Sequence, residues 1–147
     1  MQYQFKFNKI LKIKEREKDQ AFDVYNQAVK RFEETARKLY DLLKKKEDLE
    51  EYQQSRLAEG LPVQEIRHHQ HFVSSLEKTI DHYQKMVANA RTQMNFQQEK
   101  LMEKNIEVKK YEKMQEKDLT GFLESMKQAE GRQMDDISIQ LYMNRGN

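Results

Sequence analysis

The sequence predicts an all-α protein: two long helices forming an antiparallel coiled-coil hairpin. Three observations carry that prediction. A seven-residue apolar repeat runs almost from end to end, and it is broken once, around Gly60-Leu61-Pro62. Charged residues make up 35% of the 147-residue chain against 37% hydrophobic, too little apolar material for a thick core but enough for one seam. A 3.5-residue period sustained this long keeps one seam of a helix turned toward a partner helix. A break near the middle supplies that partner from the same chain.

The first helix is predicted over residues 5–59. Its seam is Phe7, Leu11, Ala21, Tyr25, Ala28, Phe32, Leu39, Leu42 and Leu49, all on one alternating three-four series. At 1.5 Å per residue such a helix is about 80 Å long. The turn falls at residues 60–62, and Pro62 suits the start of the next helix, because its fixed φ and missing N–H cost nothing in a first turn. The second helix is predicted over 63–131, with a seam of Ile66, Val73, Leu76, Ile80, Tyr83, Val87, Ala90, Met94, Leu101, Val108, Tyr111 and Phe122. With closure at residue 60, Phe7 is expected opposite a position near Met114. Gly121 and Gly131 each weaken the distal helix by about 1 kcal/mol relative to Ala. The tail over 132–147 keeps a short helical spacing in Met134, Ile137 and Leu141 but has no seam partner, so it is expected to order on binding. The whole, residues 1–147, is read as a single elongated coiled-coil domain.

Polar residues interrupt the seam. Lys14 and Lys18 stand at apolar positions of helix one, and Gln97, Lys104, Gln115 and Asp118 do the same in helix two. Long Lys stems can snorkel and polar seam residues can fix register. A weak end distant from the turn would also be ready for another protein to grip. Residues 1–18 hold six Lys or Arg against two Glu, a local excess of +4 in a chain of net charge +2. Nearer the turn, Phe72 lies beside the seam residue Val73 and shares a face with Leu76, Thr79 and Tyr83. That widening either broadens the intramolecular stripe or leaves part of it as a docking surface.

Several chemistries find no support. No Gly-rich loop, partnered nucleophile or convergent carboxylate pair is recognisable, so the chain is not expected to be an enzyme, and no cofactor is expected. His68 and His71 share a helix face while His69 falls on the seam, and no neighbouring carboxylate or Cys completes a metal-ligand set. Acidic and basic residues interleave throughout, which argues against nucleic acid. There is no Cys to staple the fold. The apolar runs are short and the N-terminal MQYQFKFNKILKIK is interleaved with Lys, so neither a spanning helix nor a cleaved signal peptide fits, and a cytoplasmic location is expected.

The N-terminal YQFKFNKIL, the stretch HQHFVSSLEKTIDHYQ after the turn and the C-terminal MDDISIQ, with two heptad-bearing helices about a central turn, resemble the flagellar export protein FliJ family of bacteria across essentially the whole chain. The resemblance implies a coiled-coil stalk whose two chain ends enter a hexameric export ATPase, with further contacts to the membrane-embedded export gate and to export chaperones. Carried onto this sequence, the ATPase-binding end comprises Phe5, Phe7, Ile10, Lys14, Lys18, Leu119, Phe122 and Leu123. The gate-binding side comprises Phe72, Leu76 and Tyr83 with Leu42 on the facing helix. Thr79 and Lys45 depart from the less polar or aromatic residues that relatives can carry there, and so interrupt the stripe. The implied location is peripheral, at the cytoplasmic face of the cell membrane. A generic coiled-coil scaffold and a substrate-holding chaperone are the alternatives.

Overall fold

The structure, a computed structural model, describes residues 2–145. Met1, Gly146 and Asn147, the two ends of the predicted domain and the last residues of the predicted tail, lie outside the described residues. The chain is all-α, with two helices, α1 (Asn8–Glu59) and α2 (Val63–Arg145), packed against each other and no strand among the described residues. Every apolar seam residue predicted above is buried or half-buried, so the 3.5-residue period identifies the contact face on both helices.

Three residues join the helices. Gly60 adopts φ +88°, the left-handed conformation that ends many helices and that a Cβ disfavours. Its N–H donates to the Leu57 carbonyl at 3.2 Å, which ties off the last turn of α1. The Pro62 carbonyl then accepts from the N–H groups of Glu65 (3.1 Å) and Ile66 (3.2 Å), opening α2.

Contacts group the chain into two compact units, one of Gln20–Met102 and one that brings residues up to Asp19 together with those from Glu103 onward. In the turn-containing unit the antiparallel register is explicit: Arg56 pairs with Glu65 (3.6 Å) and Lys46 with Glu77 (3.4 Å). Further along, Lys38 lies over the Tyr83 ring and Arg91 over the Phe32 ring. As one partner's number falls, the other's rises. Leu76, Ile80 and Ala90 are the buried residues of this unit. Full burial of an aliphatic side chain stabilises by about 1.5–3 kcal/mol, so a seam this narrow holds by many modest contributions along its length.

The unit of the chain ends is built on Leu11, Phe5 and Val108, the last only 2% exposed. Two expectations are corrected here. Helix one begins at Asn8, not at Phe5: the Asn8 N–H reaches the Phe5 carbonyl (3.2 Å) in a turn, and residues 2–5 form a non-helical arm. Phe7 therefore precedes the helix, and its ring packs against Tyr111, at 6.4 Å between centroids, three residues short of Met114. Helix two does not stop at Gly131 but continues to Arg145. Gly60 alone among the described glycines has positive φ, so Gly121 and Gly131 are ordinary helical residues that keep their place in the N–H···O=C ladder. Residues 123–145 are exposed throughout.

Candidate functional site

The chain-end unit holds an aromatic clasp. Tyr3, Phe5 and Phe7 alternate with polar residues, and all three are buried or half-buried whereas Gln2, Gln4 and Lys6 are exposed. Tyr3 and Phe122 meet at 5.2 Å between ring centroids, and Phe5 meets Phe7 at 5.8 Å in an edge contact. The Tyr3 hydroxyl donates to Asp118 Oδ2 at 2.8 Å and lies 3.5 Å from the Gln115 carbonyl. Desolvation, with the hydrogen bond and negative charge of Asp118, holds the Tyr3 phenol above its usual pKa. A shallow cleft of about 600 Å³ opens between this arm and α2, lined by Tyr3, Asp118, Gly121 and Phe122.

The two lysines Lys14 and Lys104 of the polar seam positions prove to be ion-paired. Lys14 Nζ stands 3.2 Å from Glu107 Oε2 and 3.5 Å from Glu17 Oε2, while Lys104 Nζ reaches the same Glu17 oxygen at 3.4 Å. Lys14 is held above the usual lysine pKa, chiefly by Glu107. Glu17 is held below the usual glutamate value, chiefly by Lys104. Two lysines and two glutamates thus form a polar layer in an apolar seam, a device that penalises a slipped register because a slip leaves the charges unpartnered.

The residues expected to meet an ATPase divide by exposure. Phe5 is buried, and Phe7, Phe122, Lys14 and Lys18 are half-buried, so they hold the clasp and the seam. Ile10, Leu119 and Leu123 are open to solvent. Sequence reasoning missed Tyr3, Asp118 as its acceptor, and the Glu17 and Glu107 partners. The alternation of aromatics in YQFKF was the available signal for Tyr3.

Beside the turn, Phe72 is 43% exposed, with Lys45 Nζ 5.5 Å above its ring. Leu76 is only 7% exposed and belongs to the seam. Leu42 and Tyr83 are half-buried, and the Tyr83 ring is flanked by Lys38 and His82. Thr79 is exposed, its hydroxyl donating to the Ser75 carbonyl at 3.2 Å. Of the four predicted gate contacts, Phe72 alone is fully on the surface. It forms one wall of an open cleft of about 620 Å³ lined also by Leu49, Tyr52, Leu61 and His69. The sequence reading missed that cleft, since Leu61 reaches it only through the conformation of the turn. Among the described residues, no three His, Asp or Glu side chains are grouped to hold a metal ion, and no helix is long and apolar enough to cross a membrane.

Comparison with known proteins covers the whole of this arrangement. The family profile described as "Flagellar FliJ protein" matches residues 3–147. A curated relative, the flagellar FliJ protein of Bacillus subtilis (strain 168), is 53% identical over 146 residues, covering 99% of each chain. No solved structure matches the chain. With two packed helices throughout and a family match that takes in the arm, the turn and the distal part of α2, the chain belongs to the flagellar FliJ protein family.

Proposed function

We propose that the protein is a non-enzymatic stalk or coupling component of the bacterial flagellar type III protein export apparatus. In this reading residues 1–147 act as one coiled-coil domain that promotes export of flagellar subunits. Its chain ends engage the hexameric export ATPase, its side near the turn engages the export gate or export chaperones, and association with the cell membrane is peripheral, through those partners. The observation that carries the reading is the whole-length membership of a flagellar family. The geometry supports it in two places. At the chain ends, Ile10 is exposed on the basic N-terminal segment, and Leu119 and Leu123 are exposed on α2. Beside the turn, Phe72 stands exposed over an apolar cleft.

The test is direct. Purified protein added to the cognate export ATPase raises its turnover, and a Leu119→Asp, Leu123→Asp variant of unchanged helicity does not. Turnover unaffected by the native protein at saturating concentration would overturn the coupling role and favour a scaffold or a holding chaperone.

A further inference from the structure

The distal part of α2, from Leu119 onward, carries an apolar face that is open to solvent among the described residues. Leu119, Leu123, Met126, Met134, Ile137 and Leu141 line it, each between 39% and 68% exposed. With 3.6 residues per turn they share one side of the helix. Gly121, Phe122 and Ser125, which line the cleft beside the arm, lie between about a quarter and a half of the way round from the centre of that side. The arm therefore leaves this face open.

The order of residues on that face is the same read from either end. With Glu130 at the centre, the steps run four, three, four, then four, three, four. The side chains match in mirror order: Leu119 with Leu141, Leu123 with Ile137, Met126 with Met134. A groove on an unrelated protein would place no such demand on the sequence. A twofold axis asks that both members of each mirror pair lie in the contact and suit it, because in an isologous interface residue i meets residue j and j meets i.

We propose that a second copy of this chain docks on this face, α2 against α2 in antiparallel orientation, with the twofold axis at Glu130. Each mirror pair then occurs twice across the interface, and the contact closes on itself as a dimer. The two Glu130 carboxylates meet at the axis. Lys127, one turn earlier on the same flank, offsets part of their repulsion, and the residual like charge keeps the association reversible. Leu119 and Leu123 belong both to this interface and to the proposed ATPase contacts, so dimerisation and ATPase engagement compete. The dimer does not rest on the ATPase reading, and mass measurements on the isolated protein test it independently.

The chain has no cysteine, so single-cysteine variants of the full chain report the geometry. Under mild oxidation Glu130→Cys forms a disulfide-linked dimer. Leu123→Cys alone does not, because the two copies of residue 123 stand fourteen helical residues apart, about 21 Å, against a Cα separation limit of about 7 Å. A mixture of Leu123→Cys and Ile137→Cys chains forms the mixed dimer. In sedimentation equilibrium, Glu130→Leu tightens dimerisation at least tenfold, and Leu123→Glu with Ile137→Glu abolishes it while helicity is retained. Self-linking of Leu123→Cys would overturn the antiparallel arrangement. A monomeric mass for both the native chain and Glu130→Leu up to roughly 1 mM, where even a weak association of about −4 kcal/mol populates the dimer, would overturn the interface altogether.

Discussion

Lys104 on α2 and Glu17 on α1 meet at 3.4 Å across a mainly apolar seam. Glu17 is shared with Lys14, which also holds Glu107. Because the folded state lowers the Glu17 pKa from its usual 4.5, chiefly through Lys104, this carboxylate favours folding above that value and ceases to as pH falls through its folded pKa. Lys14, raised above its usual 10.5, behaves in the opposite sense and contributes until pH rises through its own folded pKa. The polar layer is thus intact between these limits. Thermal unfolding should show a midpoint that declines on acidification below about pH 4.5. Glu17→Gln should lower the midpoint at neutral pH and flatten that acid limb. An acid limb of unchanged slope in the variant would assign it to other carboxylates.

Gly60→Ala should destabilise the hairpin by about 1–2 kcal/mol, the cost of a left-handed conformation for a residue with Cβ. A Cβ at this position would meet nothing within 4 Å, so the loss is conformational and not steric. Urea unfolding measures it. Unchanged stability would mean that the turn relaxes to negative φ without loss.

Phe72 and Leu76 lie one turn apart on α2 yet should respond differently. Leu76→Ala, in the seam, should cost about 2–5 kcal/mol, toward the low end because two helices leave room to collapse. Phe72→Ala should leave helicity and melting nearly unchanged and weaken binding to the export gate. A core-sized loss at Phe72 would return it to the intramolecular stripe.

At the chain ends, amides of residues 2–20 and 119–145 should exchange rapidly in the free protein and become protected when the export ATPase is added. Tyr3→Phe keeps the ring against Phe122 but removes the bond to Asp118, so exchange over residues 2–7 should quicken further. Lys18→Glu tests charge steering with less disturbance of the fold than Lys14→Glu, whose nitrogen belongs to the polar layer. Both should slow association with the ATPase and reduce its salt dependence. Association that ignores both changes would remove the basic end from the encounter.

The contact face was legible because Leu76, Ile80 and Val108 obey a period that only a paired helix requires. The arm was not, because Tyr3, Phe5 and Phe7 follow a period of two, and Phe7 also fits the seven-residue series by coincidence of position. Lys14 and Lys104 were recognisable as gaps in the seam. Their partners were not, since Glu17 and Glu107 sit off it and become neighbours only once two helices meet. Gly131 misled for a different reason: whether a glycine ends a helix depends on φ, and Gly60 and Gly131 are the same letter with opposite outcomes. The exposed row from Leu119 to Leu141 needed the helix to continue past Gly131 before its mirror order could be seen.

The three-residue connection also sets the order in which the chain can fold. Arg56 and Glu65, beside the turn, are separated by nine residues, so their meeting closes a small loop at small entropic cost. Tyr3 and Asp118 are 115 residues apart, and in an unfolded chain that closure costs about 2 kcal/mol more. Once the pairs next to Gly60 have formed, each new contact shortens the remaining loop for the one beyond it. Folding then proceeds as a zipper that starts at the bend, with rapid kinetics despite the long final separations. Substitutions near Arg56 and Glu65 should slow folding, whereas those at Tyr3 and Phe122 should chiefly hasten unfolding.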